Sequence, residues 1–287
     1  MSAVPVIVGY VLREALRRRV FAVVLLLTVV FLVLFWVANH YVERELQRGA
    51  LLPPQDVPVD VRTFAATFVV GLALFATMFL GVVLAVFLTL GAVRGDAERG
   101  LLQPLVVRPV GRTTFLFARF LGAVAVTAPY VIAVYLGGVV ITGLTLHWWP
   151  DSIVTPAVEV ALAVAVVIAL SLLGSVFLTS TANGIAVFML FGAGLVAGLL
   201  GTIGHAIGST AIKHASTIAA YLTPFEALYQ DALRQLTAST SGLTGFLLQL
   251  GPFGGAYVHG WTVRIWAVAF LCLVGAAALA AFTRRDL

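Results

Sequence analysis

Glu159 is the residue whose type and surroundings most directly suggest chemistry. It is the one acidic side chain well within a long apolar stretch, and the next charged residue after it is Lys213. A carboxylate placed in a membrane is costly and usually faces a cavity or a partner group. Glu159 is therefore a candidate residue of a transport pathway. In the alternative interpretation, it lies close enough to the membrane surface to reach headgroup water.

The other reactive side chains form no recognisable catalytic or metal-binding pattern. Histidines can bind copper or zinc, but the spacing here matches no ligand motif; the five are His40, His147, His205, His214 and His259. The only lysine, Lys213, follows Ala-Ile rather than a glycine, so the chain lacks a GxxxxGK[ST] phosphate loop. We predict no catalytic residue, and no metal or other cofactor bound by this chain.

The composition places these residues in a membrane protein of one domain, residues 1–287. Hydrophobic residues make up 61% of the chain and charged residues 10%, with a mean hydropathy of +1.09, whereas soluble domains average about 25% charged residues. The net charge of +5 comes from arginines that flank apolar stretches. This indicates a topology signal and contact with membrane lipids rather than nucleic-acid binding.

Long apolar stretches predict an all-α integral membrane protein with six transmembrane helices, since one span needs about 20 apolar residues. The uncharged stretch 160–204 is too long for one span and contains a break at 179–184, so it indicates two. The predicted spans are residues 20–38, 65–90, 116–146, 154–178, 184–204 and 265–283. Most arginines fall on the side that holds both termini, and the positive-inside rule makes that side cytoplasmic.

Residues 1–19 precede the first span and have their own pattern. Apolar side chains recur at helical spacing from Val4 to Leu16, while Arg13 and Arg17 lie on the other face. This predicts an amphipathic interfacial helix along the inner membrane surface. A plain extension of the first span is the alternative. A cleaved secretory signal is disfavoured, because the apolar run is longer than a signal core and no Ala-x-Ala site follows.

The most specific motif lies in a predicted cytoplasmic loop, residues 91–114. The loop contains Gly95-Asp-Ala-Glu-Arg-Gly-Leu-Leu-Gln-Pro-Leu-Val-Val-Arg-Pro-Val-Gly-Arg112. It resembles the cytoplasmic loop of type-2 ABC exporter permeases, whose pattern is roughly Glu-x-Gly-Thr-Leu followed by Pro-x-Ser/Gly-Arg. The matching residues are Glu98, Gly100, Pro109, Gly111 and Arg112. Leu101 departs from the pattern, because it stands where the family has Thr.

The resemblance extends to the six-span layout and to the basic tail Phe282-Thr-Arg-Arg-Asp-Leu287. It is closest to the permeases of copper-enzyme maturation clusters. It implies a permease of two copies, or one copy with a homologue, assembled with two ABC ATPase subunits that bind ATP and Mg²⁺. The loop would couple to the ATPase through Glu98, Arg99, Gly100, Pro109 and Arg112. Without the resemblance, a solvated connection between two spans explains the same residues.

The predicted outer loop, residues 205–264, contains a second helix signal. Thr223-Pro-Phe-Glu226 is typical of a helix start, and the apolar spacing after it predicts an amphipathic interfacial helix over 224–236. That helix would either close the outer end of a pathway or cover a dimer. In the preceding span, Gly194 and Gly198 begin a small-residue face, which is a candidate for dimer packing.

We therefore expect a multi-pass permease subunit of an ABC transporter in the bacterial cytoplasmic (inner) membrane. It would couple ATP hydrolysis by a separate subunit to export, or to conformational signalling toward an extracytoplasmic partner protein. A membrane anchor for such a partner is one alternative. An intramembrane hydrolase or acyltransferase is another, but it needs an activated nucleophile or paired acids, and Glu159 stands alone in the spans.

Overall fold

The computed structural model describes residues 19–49, 60–90, 111–237 and 260–284, together with Gly9 and Arg13. Within these ranges the chain forms helices and no strand. The helices are α1 Arg19–Gln47, α2 Val61–Thr89, α3 Arg112–Leu146, α4 Val154–Phe177, α5 Ser180–Ala206, α6 Thr210–Leu222, α7 Pro224–Thr237 and α8 Gly260–Arg284. All of them except α6 and α7 are long and apolar enough to cross a membrane. The predicted all-α fold with six spans is thereby confirmed.

Helix bounds differ from the sequence estimates mainly at polar extensions. The first helix continues to Gln47, well beyond residue 38, because the residues that follow the apolar run are helix formers and Gln47 donates to Glu43 one turn earlier. Between α4 and α5 the chain breaks at Leu178, which is extended (φ −103°, ψ 153°). The predicted interfacial helix 1–19 and most of the predicted loop 91–114 fall outside the described ranges, so both stay predictions.

Successive spans run in opposite directions, and side-chain contacts define two ends of the bundle. At one end, the start of α2 meets the end of α3, where Arg62 Nη1 donates to the Leu146 carbonyl over 3.1 Å. At the other end, the start of α3 meets the end of α8, where the rings of Phe115 and Phe282 lie 6.4 Å apart. We refer to these as the Arg62 end and the Phe115 end. The topology prediction makes the Phe115 end cytoplasmic.

Helix α4 lies at the centre of the bundle and contacts α2, α3, α5, α7 and α8. Its valines and alanines are buried along most of its length, and small side chains let neighbouring helices come close. A Cβ at Gly81 of α2 would clash with Val131 and lie 3.0 Å from Val164 Cγ2. Glycine at position 81 therefore sets how closely α2, α3 and α4 approach one another.

Buried polar side chains cross-link the spans. Thr89 of α2 donates to Ser171 Oγ of α4 over 2.7 Å, and Asn183 Nδ2 of α5 donates to the Ser171 carbonyl over 2.9 Å. At the Arg62 end, Arg62 also contacts Glu43 Oε1 of α1 at 3.1 Å. A hydrocarbon environment offers no water for such groups, so polar side chains in spans find protein partners.

Helices α6 and α7 form a re-entrant hairpin that starts at the Arg62 end and turns near the middle of the bundle. Ile212 of α6 packs against Gly204, close to the end of α5. Just past the turn, the Phe225 ring lies 6.0 Å from the Phe191 ring, near the midpoint of α5. Farther along α7, Gln235 reaches Glu159 at the start of α4. Thus α6 leads inward and α7 returns.

The turn of the hairpin is buried and satisfies its own backbone. Thr223 is 6% exposed. Its N–H and its hydroxyl both donate to the Ala219 carbonyl, over 2.8 and 2.9 Å, and its carbonyl accepts from the Glu226 N–H over 3.0 Å. Non-helical backbone is tolerated at membrane depth where protein surrounds it. The Thr223 side chain therefore hydrogen-bonds back to α6 and does not cap α7, although a threonine before a helix start commonly does.

The position of α7 corrects the surface location expected for a helix over 224–236. Every residue from 223 to 233 is buried, and α7 contacts α2, α4, α5, α6 and α8. Its polar residues, which suggested a water-facing side, instead meet polar partners supplied by α4 and α8. An amphipathic pattern predicts a helix with two unlike faces, but it does not distinguish water from a polar protein interior.

Candidate functional site

The polar side of α7 and the first turns of α4 and α8 together form a buried ion-pair cluster at the Arg62 end. Its members are Glu159 of α4, Asp231, Arg234 and Gln235 of α7, and Arg264 of α8. The Glu159 side chain is 2% exposed and the Asp231 side chain 1%, while Arg264 is 23% exposed. We refer to this group as the hairpin clamp, because it joins the re-entrant hairpin to two spans.

Two donors bridge the two carboxylates of the hairpin clamp. Arg264 Nε donates to Glu159 Oε1 over 2.6 Å, and Arg264 Nη2 donates to Asp231 Oδ2 over 3.2 Å. Gln235 Nε2 contacts both oxygens of Glu159 at 2.9 and 3.0 Å and Asp231 Oδ2 at 3.3 Å. Arg234 also pairs with Asp231, at 3.2 Å. Like charges brought this close need shared cations, and the two arginines supply them.

An aromatic ring completes the surroundings of Arg264. Its guanidinium carbon lies 5.1 Å from the ring centroid of Trp261, one turn earlier in α8. Cation–π contacts of this length are favourable, so Trp261 helps to keep the guanidinium directed at the two carboxylates. The nearby Trp266 donates from Nε1 to the Tyr221 carbonyl at the end of α6, over 2.9 Å. Helix α8 therefore holds both arms of the hairpin.

A second polar pair lies at the inner tip of the hairpin. Gln230 Nε2 donates to Glu226 Oε1 over 2.7 Å, and the two residues are 4% and 3% exposed. Among the described residues, Gln230 Oε1 and the hydroxyl of Tyr229 are buried without a hydrogen-bond partner. The tip therefore places unmet hydrogen-bonding capacity near the middle of the bundle.

The predicted dimer-packing glycines of α5 face the tip of the same chain's hairpin. A Cβ at Gly194 would lie 3.0 Å from Phe225 Cζ, and one at Gly198 would collide with the Glu226 carboxylate and lie 2.8 Å from Gln230 Nε2. Because Gly194 and Gly198 have no side chains, α7 can pack closely against this part of α5. This small-residue face is thus covered from within, and it is not open to a second copy here.

The residues predicted to couple to an ATPase lie apart from the hairpin clamp. Arg112 is the first residue of α3, at the Phe115 end, and Gly111 precedes it as the N-cap. Glu98, Arg99, Gly100 and Pro109 fall outside the described ranges, so their coupling role stays a prediction. The clamp and the beginning of α3 occupy opposite ends of the bundle. Any coupling between them would pass along the spans.

The described residues supply no obvious catalytic or metal centre. No group of three His, Cys, Asp or Glu side chains that could hold a metal ion occurs within them. The two buried carboxylates of the clamp hydrogen-bond to arginines and an amide. The arrangement joins α4, α7 and α8.

The sequence alone singled out one member of the clamp and missed its partners. Arg264 and Asp231 belong to no recognisable motif, and the sequence alone assigned neither of them a function. A usable signal was present: Glu159, Asp231, Arg234 and Arg264 all fall on one predicted side of the membrane, next to helix starts. Which of them meet depends on the hairpin folding inward.

The fold defines a class before any comparison: a polytopic helical membrane protein with a re-entrant hairpin held by buried ion pairs. A sequence comparison then identifies the family. Residues 7–287 match the ABC-2 family transporter protein domain, and the chain belongs to that family. Members of the family are transmembrane permeases of ABC transporters, and membership implies association with an ABC ATPase partner. No curated protein matches the chain.

Proposed function

We propose that this chain is the permease subunit of a bacterial inner-membrane ABC exporter, driven by a separate ATPase. The observation that carries the proposal is the family match over residues 7–287, in a chain with six helices able to span a membrane. In this proposal the permease acts as two copies, or with a homologue, together with two ATPase subunits. ATP and Mg²⁺ bind the ATPases, and this chain contributes no catalytic group.

ATP-driven motion enters at the Phe115 end in this proposal. Glu98, Arg99, Gly100, Pro109 and Arg112 form the contact with the ATPase, with both termini on the same, cytoplasmic side. Helix α3 begins at Arg112 and runs the length of the bundle to Leu146, beside the central helix α4. A rigid helix that reaches both ends can carry a displacement between them, provided that the far end has two discrete arrangements.

The hairpin clamp provides the element with two arrangements at the far end. In the closed arrangement, Glu159 and Asp231 share Arg264, and α7 fills the space between α4 and α5. In this proposal, transport requires α7 to move out of that space, and the movement separates the ion pairs of the hairpin clamp. Glu159 thereby keeps its predicted role in the pathway, as part of the group that opens and closes it.

A client protein outside the cytoplasm is the second candidate recipient of this motion. The resemblance to permeases of copper-enzyme maturation clusters supports an extracytoplasmic partner of that kind. The hairpin and the outer ends of α4 and α8 would then transmit the conformational change to the partner, and no cargo would need to cross. Recovery of a stoichiometric third protein with the complex distinguishes this version from export.

The decisive test is affinity purification of the tagged chain from its native membrane, with mass spectrometry and an ATPase assay. We expect a Walker-motif ATPase in equal amount, with an ATPase activity that exceeds that of the isolated ATPase subunit. Glu98→Ala and Arg112→Ala should abolish that stimulation. The matched control is Glu45→Ala, which removes an exposed charge from an i,i+3 pair with Arg48 at the opposite end of the bundle.

The outcomes separate the competing functions. Loss of stimulation in the Glu98 and Arg112 variants, with activity retained in the Glu45 variant, supports the coupling loop. Equal stimulation in all variants would contradict it. Recovery of a folded chain with only an extracytoplasmic protein, and with no ATPase, would instead favour the membrane-anchor function.

A further inference from the structure

An apolar groove runs along the outside of the bundle between α3 and α8, with α4 as its floor. Its volume is about 400 Å³, within the range of roughly 300–1,000 Å³ typical of small-molecule sites. The floor consists of Ala169 and Leu172, which are 4% and 2% exposed. Phe117 on one wall is 51% exposed and Cys272 on the other wall is exposed, so the groove opens sideways, toward lipid.

The groove owes its shape to small residues on α8. Gly275 and Ala276 line it, and a Cβ built on Gly275 would meet nothing within 4 Å. On the facing wall, the larger Leu116 and Phe120 of α3 line it. Leu271 and Leu279 of α8 flank the small residues, so the depression is apolar along its length and fits a flexible hydrocarbon chain, whose burial is favoured by the apolar area removed from its surroundings.

Positive charge lies at one end of the groove. Arg284 is the last residue of α8 and lies at the Phe115 end. Arg119 follows the groove residue Leu116 within one turn, but it is only 9% exposed, and its guanidinium lies 5.4 Å over the Phe115 ring. That ring in turn packs against Phe282 of α8. The hydrocarbon-lined groove thus leads toward the end of the bundle at which the exposed Arg284 closes α8.

We propose that this groove binds an acyl chain of an anionic phospholipid, with the lipid's phosphate held near Arg284 at the Phe115 end. Charge complementarity selects the ligand: guanidinium groups pair with phosphate, and basic residues at a membrane surface attract anionic headgroups. The lipid lies on the lipid-facing side of the bundle and does not contact the hairpin. With the proposed topology, it belongs to the cytoplasmic leaflet.

The natural cysteine gives a direct probe of occupancy. Cys272 is the only cysteine of the chain and lines the groove, so a bound acyl chain should shield it. The experiment measures the rate at which a small apolar maleimide labels purified protein in detergent micelles, with dioleoyl-phosphatidylglycerol or dioleoyl-phosphatidylcholine added. We expect phosphatidylglycerol to slow labelling about 10-fold and phosphatidylcholine to have little effect. Native mass spectrometry should show phosphatidylglycerol retained on the chain.

A matched pair of glycine variants locates the effect. Gly275→Leu fills the groove and should abolish retention of phosphatidylglycerol. Gly192→Leu makes the same change on α5, also where a Cβ would meet nothing within 4 Å, and should leave retention unchanged. Arg284→Gln should reduce the preference for phosphatidylglycerol over phosphatidylcholine. Thermal unfolding of each variant checks that it is folded, and the labelling assay on the unaltered protein needs no variant.

Several results would overturn the proposal. Equal protection by both lipids would remove the role of Arg284, and no protection by either would remove the site. Efficient oxidative cross-linking of Cys272 between two copies would show that a second copy covers the groove. The experiment uses no ATPase, so its failure would leave the proposed permease function intact, and the failure of that function would leave this result standing.

Discussion

Replacement of Arg264 tests how much the hairpin clamp contributes to the free energy of unfolding. The change Arg264→Gln leaves the carboxylates of Glu159 and Asp231 buried, with side-chain exposures of 2% and 1%, and without their shared cation. Removal of one partner of a buried pair costs about 3–5 kcal/mol. Arg234 still pairs with Asp231 at 3.2 Å, and Gln235 still donates to both carboxylates. We therefore expect a loss of about 2–4 kcal/mol in the free energy of unfolding.

The converse change should cost much less. Glu159→Gln keeps the size of the side chain and an acceptor for Arg264 Nε, now 2.6 Å away. Its new NH2 group gives up one of the two contacts from Gln235 Nε2, which still reaches the remaining oxygen and Asp231. It lowers a charge-assisted hydrogen bond to an ordinary one, a difference of about 1 kcal/mol, and it removes one of two neighbouring negative charges. The decisive sample is the double variant. Glu159→Gln added to Arg264→Gln should recover stability, because it removes a carboxylate that has lost its cation.

Equilibrium unfolding in mixed micelles, followed by tryptophan fluorescence, measures these differences. The control is Arg48→Gln, whose pair with Glu45 has side-chain exposures of 69% and 39%, and exposed pairs contribute about 0–1 kcal/mol. The reasoning fails if Arg264→Gln is no more destabilising than Arg48→Gln. It also fails if Glu159→Gln further destabilises the Arg264→Gln variant, because the two carboxylates would then not depend on the same cation.

Three further predictions concern Gly81, Glu226 and Asp60. Gly81→Ala should lower the free energy of unfolding by about 1–3 kcal/mol, since its Cβ would clash with Val131. In the same assay, Gly192→Ala should be neutral or stabilising, because a Cβ there meets nothing within 4 Å. Glu226→Gln should change the free energy of unfolding by less than about 1 kcal/mol. The amide keeps the hydrogen bond from Gln230, and no salt bridge to Glu226 occurs among the described residues. A loss of more than about 2 kcal/mol would instead reveal a cation partner. The hydroxyl of Thr63 lowers the pKa of Asp60, the N-cap of α2. Burial opposes this shift, and the Thr63 and Arg62 N–H groups and the charge of Arg62 add to it. A lowered pKa stabilises the folded state above the unfolded pKa of about 3.9, and the benefit is lost as pH falls through the folded pKa. The free energy of unfolding should therefore decline below about pH 4, and Asp60→Asn should remove that decline. Asp60→Ala should cost about 1 kcal/mol at neutral pH.

The spans were predictable because lipid imposes a strong and local requirement. A helix that crosses a membrane needs about 20 apolar residues, and that requirement is visible in any window of the sequence. The break between α4 and α5 was also visible, although the structure places it at Leu178, just before the polar run 179–184 that indicated it. Polar helix extensions, such as the one from Asn39 to Gln47, carry no hydropathy signal and were missed.

The sequence by itself determined the class of protein, its six spans and its resemblance to a permease family, because composition and short motifs carry that information. Only the tertiary structure decided what the polar residues do. The pattern of α7 identified two unlike faces, but its burial follows from Gly194 and Gly198 leaving room on α5. Likewise, the meeting of Glu159 with Arg264 joins residues 105 positions apart. Contacts of that kind depend on how helices pack, and local sequence does not contain them.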